Sequence, residues 1–131
     1  MDSTTGTSTA AIAQEVVSLC RAGRNMDAIN KFYSPDVVSM ESMSSPEMPA
    51  EQRGIEAIKA KNLWWMENNE VHSSRVAGPF LGDDDQFAVH YDYDTTFKPS
   101  GQRMRMTEMA LYKVKDGRIV HEHFFYSTQP S

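Results

Sequence analysis

The chain has one cysteine among its 131 residues, Cys20, so no internal disulfide can form and a reducing compartment suits it. It contains no apolar run approaching the roughly 18 residues that a membrane-spanning helix needs. The opening stretch, MDSTTGTSTA, lacks the apolar core of a secretory signal, so the default expectation is a cytoplasmic protein with no membrane partner. Basic charge is in deficit: 13 Lys and Arg stand against 18 Asp and Glu, a net charge of -5. That balance argues against nucleic acid as a partner, since a phosphate backbone wants a basic face. No nucleophile elbow, phosphate loop or dinucleotide fingerprint is present, and no cofactor is expected.

What remains suits one soluble domain. Hydrophobic residues make up 40% and charged residues 24% of a chain of ordinary domain length, enough for a core and a solvated surface. Residues 1–7 are small and polar and read as a disordered tail, leaving 8–131 as a single domain. Ser8 or Thr9 can cap a first helix with Ile12, Val16, Leu19 and Cys20 at helical spacing, where Cys20 acts as a small buried hydrophobe. Gly23 ends it, and Asn25 caps a short second helix carrying Met26, Ile29 and Tyr33. Val37 to Glu41 reads as a strand, and 42–53, with Met43 and Met48, as a flap-like loop. Gly54 to Asn69 is a third helix with Ile55, Ile58, Asn62, Trp65 and Met66 along one stripe. Val71 to Ala77, closed by Gly78-Pro79, and Phe87 to Phe97 are strands; Leu81 to Asp85 is a solvated turn.

The run QRMRMTEMALYKVKDGRIVHEHFFY, residues 102–126, is a long antiparallel hairpin turning at Asp116-Gly117. Its alternation puts Glu108 and Glu122 on a face otherwise made of Ala110, Tyr112, Val114, Val120, Phe124 and Tyr126. A carboxylate on an apolar face is costly unless something nearby compensates it. A three-residue loop pairing Val114 with Arg118 is the favoured register, because a two-residue loop mixes lysine and arginine into the apolar face. It sets Ala110 beside Glu122 and Glu108 beside Phe124.

The segments NMDAINKFYSPDVVSME (25–41), RGIEAIKAK (53–61), GPF (78–80) and KDGRIV (115–120), in this order and spacing, resemble the SnoaL-like and ketosteroid-isomerase-like branch of the nuclear transport factor 2-like superfamily. The resemblance spans residues 10–127. It implies an α+β fold of the cystatin-like barrel type: a cone in which a strongly curved antiparallel sheet wraps three helices and leaves a pocket at the wide end. It also implies a homodimer through the convex sheet face. The carboxylate base of ketosteroid isomerase falls on Glu41, and a pocket-lining strand residue on His72. The oxyanion-hole positions of that enzyme fall on Val17 and Ala110, which cannot donate, and the acid–base aspartate of SnoaL-type cyclases falls near Phe124. The scaffold matches while the known chemistries do not transfer.

Glu41, His72, Glu108 and Glu122 are therefore the candidate catalytic residues. Carboxylates sharing a partly dry site push each other's pKa apart, which suits proton abstraction beside a carbonyl or activation of a water. The alternative is that these groups satisfy one another and only hold the cone open. Trp65, Tyr91, Tyr93, Phe124, Tyr126 and Met43 are the candidate ligand-binding residues, able to face a flat small molecule or simply to fill the core. His90, Asp92, Asp94, His121 and His123 share the opposite face, with Arg103 and Arg105 flanking; paired charges at a dimer interface are favoured there over a metal site, and no metal is assigned. Two functions stay open: cofactor-independent isomerase, lyase or hydrolase chemistry on a small apolar carbonyl compound, or a non-catalytic ligand-binding or protein-interaction module.

Overall fold

A computed structural model describes residues 8–44 and 49–126. The expected tail at 1–7, Met48 of the flap and the last residues of the domain lie outside the described residues. Ser8 opens α1 (Thr9–Arg21): its hydroxyl accepts the Ala11 amide, satisfying one donor that a helix start leaves unpaired. Gly23, at φ +73, lets the chain reverse into α2 (Asn25–Phe32). Asn25 is the first residue of α2 and not its cap; Arg24 precedes it without a capping bond, and the Asn25 side chain bonds Tyr93 instead. The chain then runs through β1 (Tyr33–Met40), the short β2 (Glu51–Arg53) inside the expected flap, α3 (Ile55–Asn68), β3 (Asn69–Gly82), β4 (Gln86–Phe97), β5 (Gln102–Lys115) and β6 (Arg118–Phe125).

The six strands form one sheet in the order β2-β1-β6-β5-β4-β3, antiparallel except for the parallel β1–β6 pair. The fold is thus α+β, three helices against a mixed sheet. Ile12, Ala13, Val16 and Val17 of α1 pack with Val37, Phe87, Val89, Ala110, Tyr112 and Ile119 of the sheet in a continuous core. Burying a side chain of this size contributes about 1.5–3 kcal/mol. Among the described residues, no helix is long and apolar enough to cross a membrane.

Two registers differ from the sequence expectation. β3 does not stop at Gly78-Pro79 but continues to Gly82, with a bulge between Ala77 and Phe80. Gly78 sits at φ +127, and a Cβ there would meet the Ala88 carbonyl at 3.1 Å, so glycine is what lets the strand bend and go on. In the last hairpin Lys115 pairs with Arg118 across a two-residue loop, Asp116 and Gly117 both being left-handed at φ 53 and 77. A bulge one step later, with Ile119 opposite Val114 and His121 opposite Lys113, makes Val120 the extra residue. Ile119 therefore takes the buried place expected of Val120, and lysine and arginine stay outside. The resulting partners are Tyr112 with Glu122 and Ala110 with Phe124, correcting the expected ones by two residues.

Candidate active site

The corrected register builds the site. One inward row across the sheet reads Phe87, Tyr112, Glu122, Ser39; the next reads Val89, Ala110, Phe124; the third sets Tyr91 beside Glu108. Ala110 is the small member of these rows and is fully buried. Helix α3 closes the far side with Ile58, Lys61 and Trp65, spaced so that they share one helical face. Together these elements enclose a pocket of about 450 Å³. That is a volume suited to a small molecule.

All six expected ligand-binding residues, Trp65, Tyr91, Tyr93, Phe124, Tyr126 and Met43, line this pocket. Trp65 and Tyr93 meet at 5.4 Å between ring centroids, and Tyr91 stacks on Tyr93 at 5.9 Å. Of the expected catalytic residues, Glu41, Glu108 and Glu122 line it as well. His72 does not. It is the extra residue of a bulge between Val71 and Ser73, exposed on the outer face of the sheet, with Nε2 2.7 Å from Thr96 Oγ1. The bulge slips the strand by one residue, and the slip turns the ring away from the pocket.

Glu122 is the floor. It is fully buried, and its carboxyl accepts from the Tyr33 hydroxyl and from Ser39 Oγ at 2.7 Å. Burial pushes its pKa up, opposed by the Lys61 charge and by those two hydrogen bonds. Above it, Lys61 Nζ donates to Ser39 Oγ and to Glu41 Oε2, both at 2.7 Å, and lies 3.9 Å from Glu122 Oε2. Glu41 accepts a second bond, 2.9 Å, from the Tyr126 hydroxyl. Tyr33, Ser39, Glu122, Lys61, Glu41 and Tyr126 thus form one chain of hydrogen bonds from floor to rim. Deeper still, Tyr91 and Tyr112 share a 2.7 Å hydroxyl contact, and Cys20 Sγ lies 3.6 Å from Tyr91. Burial raises the pKa of both phenols and of the thiol, so all three stay protonated at neutrality.

Glu108 stands apart. It makes no hydrogen bond among the described residues, yet it is half-buried. Burial first, then the neighbouring Glu41, raise its pKa to about 7, with Lys61 pulling the other way. A carboxyl in that state exchanges a proton at physiological pH.

Sequence reasoning missed Lys61, Ser39 and Tyr33. Lys61 was visible in principle: it stands on the stripe of Ile58 and Trp65, where a lysine faces the core. Ser39 and Tyr33 gave no signal, because only the parallel β1–β6 pairing brings them to Glu122.

A second depression, of about 550 Å³, lies on the outer sheet face among Ser73, Arg75, Asp92, Asp94, Arg103 and Arg105. Both of its aspartates are already paired: Arg103 grips Asp94 at 2.9 and 2.8 Å, and Arg105 grips Asp92 at 2.9 and 2.6 Å. Among the described residues, no group of three or more His, Cys, Asp or Glu side chains is placed to hold a metal ion.

The family model described as SnoaL-like domain matches residues 7–126. A crystal structure from Mesorhizobium loti, named as a candidate SnoaL-like polyketide cyclase with carbohydrate phosphatase as a further label, is 41% identical, with 89% of this chain and 97% of that one covered and a TM-score of 0.84. A Xanthomonas campestris protein of unknown function with a cystatin-like fold aligns at 18% identity over 94% of this chain and 93% of its own, TM-score 0.74. A candidate isomerase from Bacillus subtilis aligns at 13% over 90% and 85%, TM-score 0.72. These last two share the fold. No curated protein matches the chain.

Proposed function

Since the chain belongs to the SnoaL-like domain family, we propose that it is a cofactor-independent acid–base enzyme acting on a small, flat, apolar carbonyl compound. The observation that carries this reading is Glu108: a carboxyl facing an aromatic pocket, free of hydrogen bonds among the described residues, with its pKa raised to about 7. Glu41, the base implied by the family resemblance, has both oxygens occupied, by Lys61 and Tyr126. The base therefore moves to Glu108. Its carboxylate takes a proton from the carbon beside the carbonyl, leaving an enolate and a neutral Glu108. Return of the same proton to a different carbon is an isomerisation. Attack of the enolate carbon on a second carbonyl of the same molecule closes a ring, and the alkoxide it leaves takes the proton back from Glu108; the Mesorhizobium loti protein is named for a cyclase.

The test is proton exchange in deuterated water, followed by NMR on a panel of cyclic ketones and β-dicarbonyls. The wild-type protein should speed exchange beside the carbonyl, with a rate that rises with pH through about 7 and then levels. Glu108→Gln should lose about a hundredfold or more. A compound that binds but exchanges no faster than in buffer would show a ligand-holding module instead.

The outer sheet face is proposed as a homodimer interface. Phe80, Met109 and Phe125 are exposed there, and His123 stacks on Phe125 at 4.1 Å. Light scattering tests it: a dimer that Phe125→Glu converts to monomer is the expected result, and a wild-type monomer overturns it.

A further inference from the structure

The acid–base reading leaves the carbonyl oxygen without a partner. Negative charge grows on that oxygen as the proton leaves carbon, and stabilising it is usually the largest contribution to such a reaction. We propose that Lys61 binds this oxygen, so that the substrate is a neutral carbonyl compound held between the Lys61 ammonium and the Glu108 carboxyl. The proposal rests on the Glu108 reading for its chemistry but on separate geometry.

Lys61 is the cationic side chain among the described lining residues. It is 15% exposed and lines the pocket. An ammonium carries three N–H donors. Two are committed, to Ser39 Oγ and Glu41 Oε2 at 2.7 Å each. The third has no acceptor at hydrogen-bond distance among the described residues: Glu122 Oε2 is 3.9 Å away, and Nζ stands over the Phe124 ring at 5.1 Å from its centre. The other hydroxyl donors near it are spent, Tyr126 on Glu41, Tyr33 and Ser39 on Glu122. Ser39 gives its own proton to Glu122 and so presents a lone pair to Lys61, which fixes the direction of the whole chain. The ammonium is held in place before any ligand arrives, and its one free donor needs no reorganisation to meet an oxygen. Three carboxyls against one cation, Glu41, Glu108 and Glu122 against Lys61, disfavour a carboxylic acid as substrate and favour a neutral ketone or thioester.

The probe is para-nitrophenol, whose phenolate mimics an enolate oxygen and absorbs visible light. Bound to Glu108→Gln, which removes the competing negative charge, the phenol should ionise about one pH unit lower than in buffer. Adding Lys61→Met should abolish that shift, while Lys61→Arg should retain part of it. Should Lys61→Met fail to fold by circular dichroism, Lys61→Gln combined with Glu41→Gln removes the ion pair as a unit and is read in its place. A phenol that does not bind, or a shift that survives loss of Lys61, overturns the proposal. Loss of proton exchange alone, with the Lys61-dependent shift intact, rejects the Glu108 chemistry and keeps the oxygen site. Exchange that persists without Lys61 but fails without Glu108 does the reverse.

Discussion

Strands β4, β5 and β6 carry charged residues on both faces, and the two faces treat them oppositely. On the outer face, Asp92 and Asp94 each take a bidentate arginine, and hydrogen bonds from Arg105 and Arg103 hold their pKa values below the usual carboxylate range. On the inner face, burial drives Glu108 and Glu122 upward even though Lys61 is near. Outside, each carboxylate has a private partner and water supplies the rest. Inside, three carboxyls share one ammonium, and desolvation outweighs the attraction it provides. A residue type therefore says little about its proton affinity; the face it occupies decides. The functional reading goes to the inner face because Glu108 there has no hydrogen-bond partner among the described residues, whereas Asp92 and Asp94 each hold an arginine.

The largest expected effect that tests this contrast is Lys61→Met. It leaves Glu41 and the buried Glu122 without their shared cation, and should cost about 3–5 kcal/mol in urea unfolding at pH 8. The loss should shrink as pH falls, because burial already raises the proton affinity of Glu122. A loss that does not change with pH would mean that packing, not charge, accounts for it.

Next comes Glu108→Gln, which should stabilise the protein. Glu108 binds its proton more tightly in the folded state, at about 7, than at the ordinary 4.5 of the unfolded chain. Its protonation thus favours folding fully below about pH 4.5, and that contribution disappears as pH rises through about 7. At pH 8 the substitution should gain roughly 2 kcal/mol and flatten the decline of stability between pH 5 and 8. A destabilised variant with an unchanged pH slope would contradict the raised affinity.

Tyr33→Phe is smaller. It deprives the Glu122 carboxyl of one of its two hydroxyl donors at the cost of a single oxygen atom, and should lose about 1–2 kcal/mol. The smallest effect belongs to the outer face: in the Phe125→Glu monomer, where the proposed interface stays in water, adding Asp92→Asn should leave the unfolding midpoint unresolved, and more so in high salt. A clear loss in that monomer would show that the pair is not screened by solvent even when no partner covers it.

Much of the fold was legible. Helix periodicity placed Ile12, Val16 and Cys20 in the core, and strict alternation in β4 separated Phe87, Val89 and Tyr91 from Asp92 and Asp94. Alternation also marked Glu108 and Glu122 as inward, although the loop chosen to justify it was wrong: the two-residue turn and the bulge at Val120 cancel, so the same face is buried by another route. His72 was expected in the pocket from the family resemblance, and the bulge between Val71 and Ser73 turns it to the outer face instead. Lys61 was passed over because a lysine on a helix is ordinarily solvated, although its place on the stripe of Ile58 and Trp65 pointed inward.

The sequence by itself determined most of the residues that alternate inward, where most of the elements run, and the family to which their order belongs, because these depend on local spacing of two or 3.6 residues and on the order of the segments. Only the tertiary structure decided the chemistry of the pocket. The parallel pairing of β1 with β6 brings Ser39, 83 positions away, to Glu122, and the packing of α3 brings Lys61 to both. The proton affinity of a carboxyl depends on who stands within a few ångströms and how much water remains, and neither is written in its neighbours along the chain.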